Sequence, residues 1–263
     1  SRIRKFCIVN ELVHHSNPSF YNYATKQKRL DVITLLCRCV FIEKHETLSI
    51  TKKICSNNFG ISENSVTAII NTLSVQKRII TSRKIHDRRE LLIEPTDKGL
   101  EEMFLFFIRA SYFEVKKTRL DGFRENINEI SHYSELYKFF SNFSSHLILG
   151  YSITFFVPFS EIFLNRVGGR IIMIHLYNEV YNFTNGKYKT NCTHTSLETK
   201  LKISRPQINR ILFSAEKNKL LSIDRFGYIE LNNNFIALIE NYFAVLITLN
   251  GQHSSSEFES KVI

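Results

Sequence analysis

Two runs of side chains in this sequence are suited to reading a polyanion. The first holds Ser62, Asn64, Ser65, Thr67 and Asn71, followed by a cationic cluster of Arg83, Lys84, Arg88 and Arg89. Hydroxyls and amides can donate to phosphate, and an asparagine amide suits adenine because it donates and accepts at once. Guanidinium groups beside them can clamp phosphates or enter a narrow groove. Glu63 works against such a partner, since phosphate repels a carboxylate. The second run is Ser204, Arg205, Gln207, Asn209 and Arg210, with Lys217, Lys219 and Arg225 beyond it. Other chemistry finds little footing. Cys37 and Cys39 stand two apart in a predicted helix and so face different sides, and no histidine completes a zinc set with them. Cys7 could sense an oxidant only if its thiol pKa were lowered. There is no glycine-rich phosphate loop, no HExxH and no arguable Ser-His-Asp set. The reading is a protein with no catalytic centre, no cofactor and no metal.

The elements around the first run follow from local pattern. Ser62 is placed to cap a helix, because its hydroxyl can accept from an orphan amide of the first turn. Val66, Ile69, Ile70 and Leu73 then recur at helical spacing as one apolar stripe. Residues 79–84 read as a strand, 85–90 as a charged turn, and 91–93 as a returning strand ended by Pro95. Thr96 is placed to cap the next helix. Upstream, residues 30–42 read as a buried helix and 48–57 as a shorter one. Gly60 beyond it suits a left-handed backbone. Residues 100–117 read as a long helix apolar on most sides, hence buried or shared.

Helix, helix, strand, charged tip, strand is the order of a winged helix-turn-helix. At the residue level this stretch resembles the MarR family of bacterial transcription regulators. The resemblance rests on Asp87-Arg88-Arg89 at the tip, on 91–93, and on Thr96-Asp97-Lys98-Gly99, with Pro95 where the family usually has leucine. It implies that Asp87 structures the wing by bracing Arg89, and that Arg89 enters a minor groove. It also implies a possible small-molecule effector, for which the Phe and Tyr clusters at 104–113 and 139–163 could line a pocket; core packing is the stronger reading of those clusters.

The second half repeats this order. Residues 170–177 parallel 30–40, 196–201 parallel the short helix, and Ile203-Ser204 align with Ile61-Ser62. Ile208, Ile211, Leu212 and Ala215 match the apolar stripe. Residues 220–225 and 228–231 read as strands about a tight turn at Phe226-Gly227. Residues 235–249 read as a long apolar helix. One count disagrees: Leu73 to Ile79 is six positions and Ala215 to Leu220 five. Either the first junction is bulged or extended, or the two copies align differently there.

The predicted fold is mainly α (α+β), with tandem winged helix-turn-helix domains joined by long packing helices in a pseudo-dimeric arrangement. Residues 1–118 form the first domain with its flanking helices, 119–132 a linker, 133–250 the second, divergent domain, and 251–263 a flexible tail. The helices at 2–15, 100–117, 133–143 and 235–249 are expected to pack between the two. With 43% hydrophobic and 23% charged residues, the 263-residue chain can bury a core. Its net charge of +10 favours a polyanionic partner. The expected partner is double-stranded DNA, bound by a monomer acting as a pseudo-dimer or by a homodimer. A plasmid-type replication initiator with tandem winged helices, or a winged-helix protein that binds other proteins, are the alternatives. No membrane partner is expected, because the apolar run at 147–164 is interrupted by polar residues and Pro158. Five cysteines and the absence of a signal peptide point to the cytoplasm.

Overall fold

The computed structural model describes residues 2–42, 48–83, 91–103, 105 and 129–251. They are mostly helical, with two small antiparallel sheets, an α+β composition. Among them no helix is long and apolar enough to cross a membrane. The chain divides into two compact units. One joins residues 1–27 to 153–247; the other spans 28–152 together with 248–263.

The first unit along the chain to be continuous is 28–152. It contains α3 (Gln27–Phe41) from its second residue, α4 (Leu48–Phe59), α5 (Glu63–Val75), β1 (Ile79–Arg83), β2 (Leu91–Pro95), α6 (Asp97–Met103) and α7 (Glu129–Ile148). Val66, Ile69, Ile70 and Leu73 are all buried, as the stripe predicts, and each such burial is worth roughly 1.5–3 kcal/mol. β1 and β2 pair antiparallel, Ile79 opposite Pro95 and Arg83 opposite Leu91. Pro95 thus lies within the strand rather than beyond it. Thr96 caps α6 as expected: its Oγ1 accepts from the Gly99 amide at 3.1 Å. α7 begins at Glu129, so the last residues of the predicted linker are helical. Phe41 of α3 stacks on Phe140 of α7, ring centroids 5.6 Å apart. The amide of Asn58 donates to the Ile148 carbonyl at 2.8 Å, satisfying an orphan acceptor at the end of α7. The 85–90 turn, the helix beyond Leu105 and the 251–263 tail, apart from Gly251, lie outside the described residues.

The other unit opens with α1 (Arg2–Ser16) and α2 (Pro18–Ala24) and continues with α8 (Ile153–Phe156), α9 (Glu161–Leu164), α10 (Gly169–Asn178), β3 (Val180–Thr184), β4 (Lys187–Thr190), α11 (His194–Leu201), α12 (Arg205–Lys217), β5 (Leu221–Ile223), β6 (Ile229–Leu231) and α13 (Asn233–Gly251). α10 is its axis, buried from Gly169 through Leu176. The N-terminal helix does dock far away in sequence, but its home differs from the predicted one. Instead of belonging to a 1–118 domain, α1 lies on α10. Arg4 Nη2 donates to the Val180 carbonyl at 2.6 Å, and the Glu11 carboxylate meets His175 Nδ1 at 2.7 Å and the Asn178 amide at 3.0 Å. Phe6 contacts Phe243 of α13 edge-on at 5.4 Å. α1 and α13 therefore build the core of one unit. Asn17-Pro18 is a helix start rather than a loop: Asn17 Oδ1 accepts from the Phe20 amide, and Pro18 occupies the first turn, where no amide is needed.

The sheet here has four strands in the order β3-β4-β6-β5. The β3–β4 hairpin is absent from the sequence reading. Its turn is Asn185-Gly186, both with positive φ (54° and 75°), the pairing that a two-residue hairpin turn favours.

Candidate nucleic-acid interface

α5 and α12 are the helices that carry the two predicted runs, and their backbones follow the same course 142 residues apart. Each has 13 residues. Each is entered through a left-handed residue, Gly60 (φ 58°) or Lys202 (φ 54°). Ser62 and Ser204 stand at the N-caps. Each helix exits through a second left-handed residue, Lys77 (φ 58°) or Lys219 (φ 56°). The next amide then returns into the helix, Arg78 to the Leu73 carbonyl at 2.9 Å and Leu220 to the Ala215 carbonyl at 3.0 Å. Even the crossing to the following helix agrees. Thr96 N bonds Arg78 O and Asn232 N bonds Leu220 O. The Thr96 hydroxyl and the Asn232 amide donate to the carbonyls of Lys77 and Lys219. Ile79 therefore corresponds to Leu221, not to Leu220. Both junctions have one length, and neither is bulged.

In α5 the five predicted side chains do not stand alike. Ser62 Oγ accepts from the Ser65 amide at 3.3 Å, confirming the N-cap, and the two hydroxyls face one another at 2.9 Å. Thr67, half-buried, returns its hydroxyl to the Glu63 carbonyl at 2.9 Å. Asn64 and Asn71 are exposed, two turns apart, or about 10.5 Å along the axis. Arg83 is exposed at the end of β1. Lys84, Asp87, Arg88 and Arg89 lie outside the described residues. A structural cation sits close by. Arg78, buried, clamps Glu102 of α6 through Nε and Nη2, while Nη1 donates to Gln76 Oε1 at 2.6 Å. This pair fastens the strand entrance to α6.

In α12, Arg205, Asn209 and Arg210 are exposed and Gln207 is half-buried. Ser204 leaves the cap unmade: its hydroxyl donates instead to Gln207 Oε1 at 3.0 Å. Asn209 Oδ1 meets His194 Nδ1 at 2.7 Å. Arg205 and Arg210 stand about 140° apart around the helix and, with Lys217 in its last turn, carry its exposed positive charge. Asp224 shapes the short turn, its Oδ1 accepting from the amides of Phe226 and Tyr228, both at 2.9 Å. Arg225 is folded over the Phe226 ring at 4.7 Å rather than extended outward. No protein-family model and no curated protein matches this chain.

α11 is capped by Thr193, whose hydroxyl accepts from the Ser196 amide while Ser196 Oγ accepts from the Thr193 amide. Sequence reasoning began this helix at Ser196 and missed the capping box, although a Thr three residues before a Ser is a legible signal of the same kind. It also missed Phe213, which occupies in α12 the position of Asn71 in α5 and is 70% exposed. The cysteines carry no sign of reactivity. All five are free thiols. Burial pushes Cys7 and Cys37 well up, and Cys55 and Cys192 up to about 12, so these four are protonated at neutral pH. That works against oxidant sensing at Cys7.

Proposed function

We propose that this chain is a sequence-specific, double-stranded DNA-binding transcription regulator, a binding protein rather than an enzyme. It is built from two winged helix-turn-helix modules, with α5 and α12 as recognition helices and the β1–β2 and β5–β6 hairpins as wings. One observation carries the reading. Two helices with no residue-level likeness on their exposed faces keep the same left-handed entry and exit, length and exit bonds, and both expose several polar or basic side chains. A scaffold duplicated this closely while its outer face varies is what reading two different half-sites requires. The MarR-like wing at 87–89 and the net charge of +10 support the same partner.

In this reading the single chain acts as an internal pseudo-dimer on an imperfect palindrome, its half-sites roughly 34–36 Å apart. Asn64 and Asn71 reach base edges, Ser62, Ser65 and Thr67 approach the backbone, and the basic wing holds phosphates. Arg205, Gln207 and Arg210 serve the second half-site. Capture of genomic fragments on the full-length protein, followed by titration of the enriched duplex, tests this. The expected result is an enriched inverted motif, weakened by Asn64→Ala plus Asn71→Ala. With about 6–10 phosphate contacts, affinity should fall with a log–log salt slope of about −5 to −9. Recovery of no motif would overturn the regulator reading, and direct repeats would favour an initiator.

A further inference from the structure

The second unit holds a cleft of which the duplex reading uses only Arg205. It lies between the N-terminal end of α11, one flank of α12 and the β5–β6 turn, and encloses about 630 Å³. That volume is within the range of small-ligand sites. Its lining divides by chemistry. Phe213 and Phe226 present aromatic rings, 70% and 69% exposed, from the helix and the turn. Arg205, His194 and Asn209 supply polar groups, and the carboxylate of Glu216 also lines the cleft, so a phosphate must sit toward Arg205 and away from it. Two exposed aromatic rings on one cleft with a guanidinium in its lining can cover a flat ring and meet its negative charge. The corresponding helix, α5, has Asn71 in place of Phe213 and Glu63 in place of Arg205, so neither half of the pattern is imposed by the backbone.

We propose that this cleft takes an unpaired nucleobase of single-stranded DNA. The base stacks on Phe213 or Phe226, and Arg205 holds its phosphate. Stacking on aromatic side chains beside cations is how single strands are held without sequence-specific pairing, since every base has a π-face. A base inside a duplex offers no such face, because its neighbours cover it. The polar end of the cleft can also meet a base edge. Asn209 Oδ1 can only accept, so the shared proton sits on His194 Nδ1, which leaves Nε2 and the Asn209 amide nitrogen to meet a base edge. Arg225 backs the Phe226 ring from one side at 4.7 Å, fixing it for stacking on the other. The five residues Asp224–Tyr228 joining β5 to β6 form a turn too short to follow a groove but sufficient to hold one ring in place.

The inference rests on the second unit facing DNA, and its test separates the two readings. Full-length protein is titrated by fluorescence anisotropy against a labelled oligothymidine of about 20 nucleotides and against a labelled duplex carrying the enriched motif. Phe213→Ala and Phe226→Ala, both surface changes, should each weaken oligothymidine binding roughly five- to hundredfold and weaken duplex binding by a clearly smaller factor. Duplex binding with no oligothymidine binding, or with binding that neither variant alters, overturns the cleft proposal and leaves the regulator reading standing. An equal loss on duplex and single strand also overturns it, since Phe213 would then be meeting thymine methyl groups in a groove. Absence of duplex binding together with strong, phenylalanine-dependent oligothymidine binding would instead overturn the regulator reading alone.

Discussion

α5 and α12 share a backbone and share almost nothing on their outer faces. Asn64, Ala68, Asn71 and Val75 line the outermost row of the first; Pro206, Arg210, Phe213 and Lys217 line that of the second. What stays fixed is what the core and the chain reversals require: the apolar stripe, the two left-handed residues that bracket each helix, and the carbonyls that take the next amide. What varies is what a partner would touch. The comparison separates residues that hold the scaffold from residues that give it a target.

The sharpest way to break this comparison is at one shared position. Thr96 corresponds to Asn232, so Gly99 corresponds to Phe235. In one unit a Cβ at Gly99 would fall 2.0 Å from the Arg78 carbonyl oxygen. In the other, Phe235 is fully buried, with its ring 5.7 Å from that of Phe163. Phe235→Ala should cost about 3–5 kcal/mol through lost packing, and Gly99→Ala about 2–3 kcal/mol through overpacking against backbone. Urea denaturation checks both, and a neutral Gly99→Ala would mean that α6 meets β1 differently from α13 and β5.

The two units should next differ in acid. His14 is buried against Tyr21, ring centroids 5.3 Å apart, in the unit that also holds α12. Burial, helped by the charge of His15, lowers its pKa to about 4 from the ordinary 6.5. The unfolded chain then binds more protons than the folded one between those values. The contribution of this site is full above pH 6.5, declines as pH falls toward 4, and changes no further below that. NMR titration of the His14 ring should show a midpoint near 4. A His14→Leu variant should lack this part of the pH dependence of unfolding, and an ordinary midpoint would rule the mechanism out.

The smallest effect should be the same in both units. Lys77 and Lys219 hold the left-handed exit of α5 and α12, which costs a residue with a Cβ about 1–2 kcal/mol. Glycine relieves that but gives the unfolded chain more freedom. Lys77→Gly and Lys219→Gly should each stabilise by about 0.5 kcal/mol, or roughly 1–2 °C in Tm. Opposite signs at the two sites would show that the matched exits are not energetically equivalent.

Much of this organisation was legible in the residues. The stripe of Val66, Ile69, Ile70 and Leu73, the Ser62 cap and the left-handed Gly60 are local features, and local features survive into the fold. The parts that were not legible depended on distant partners or on positive φ in unexpected residues. Lys219 gives no hint of a left-handed exit, so the copies were aligned one residue out. α1 shows an apolar face but nothing that names α10 as its seat. The Asn185-Gly186 turn was an available signal that was passed over. On the two helices, spacing picked out the polar side chains but could not tell which were already engaged, as Ser65 is with Ser62 and Asn209 with His194. Phe213 lies just off the apolar stripe of Ile208, Ile211, Leu212 and Ala215, and nothing local marks it as exposed.

The division of the chain has a consequence for its birth. During synthesis, residues 28–152 are all present before the ribosome has made the strands and helices with which 1–27 must unite. The opening helices therefore wait, with Phe6 and Val13 uncovered, until α10 and α13 have emerged. Nascent-chain truncations should acquire protease resistance in 28–152 first, and the two ends of the other unit should become resistant together.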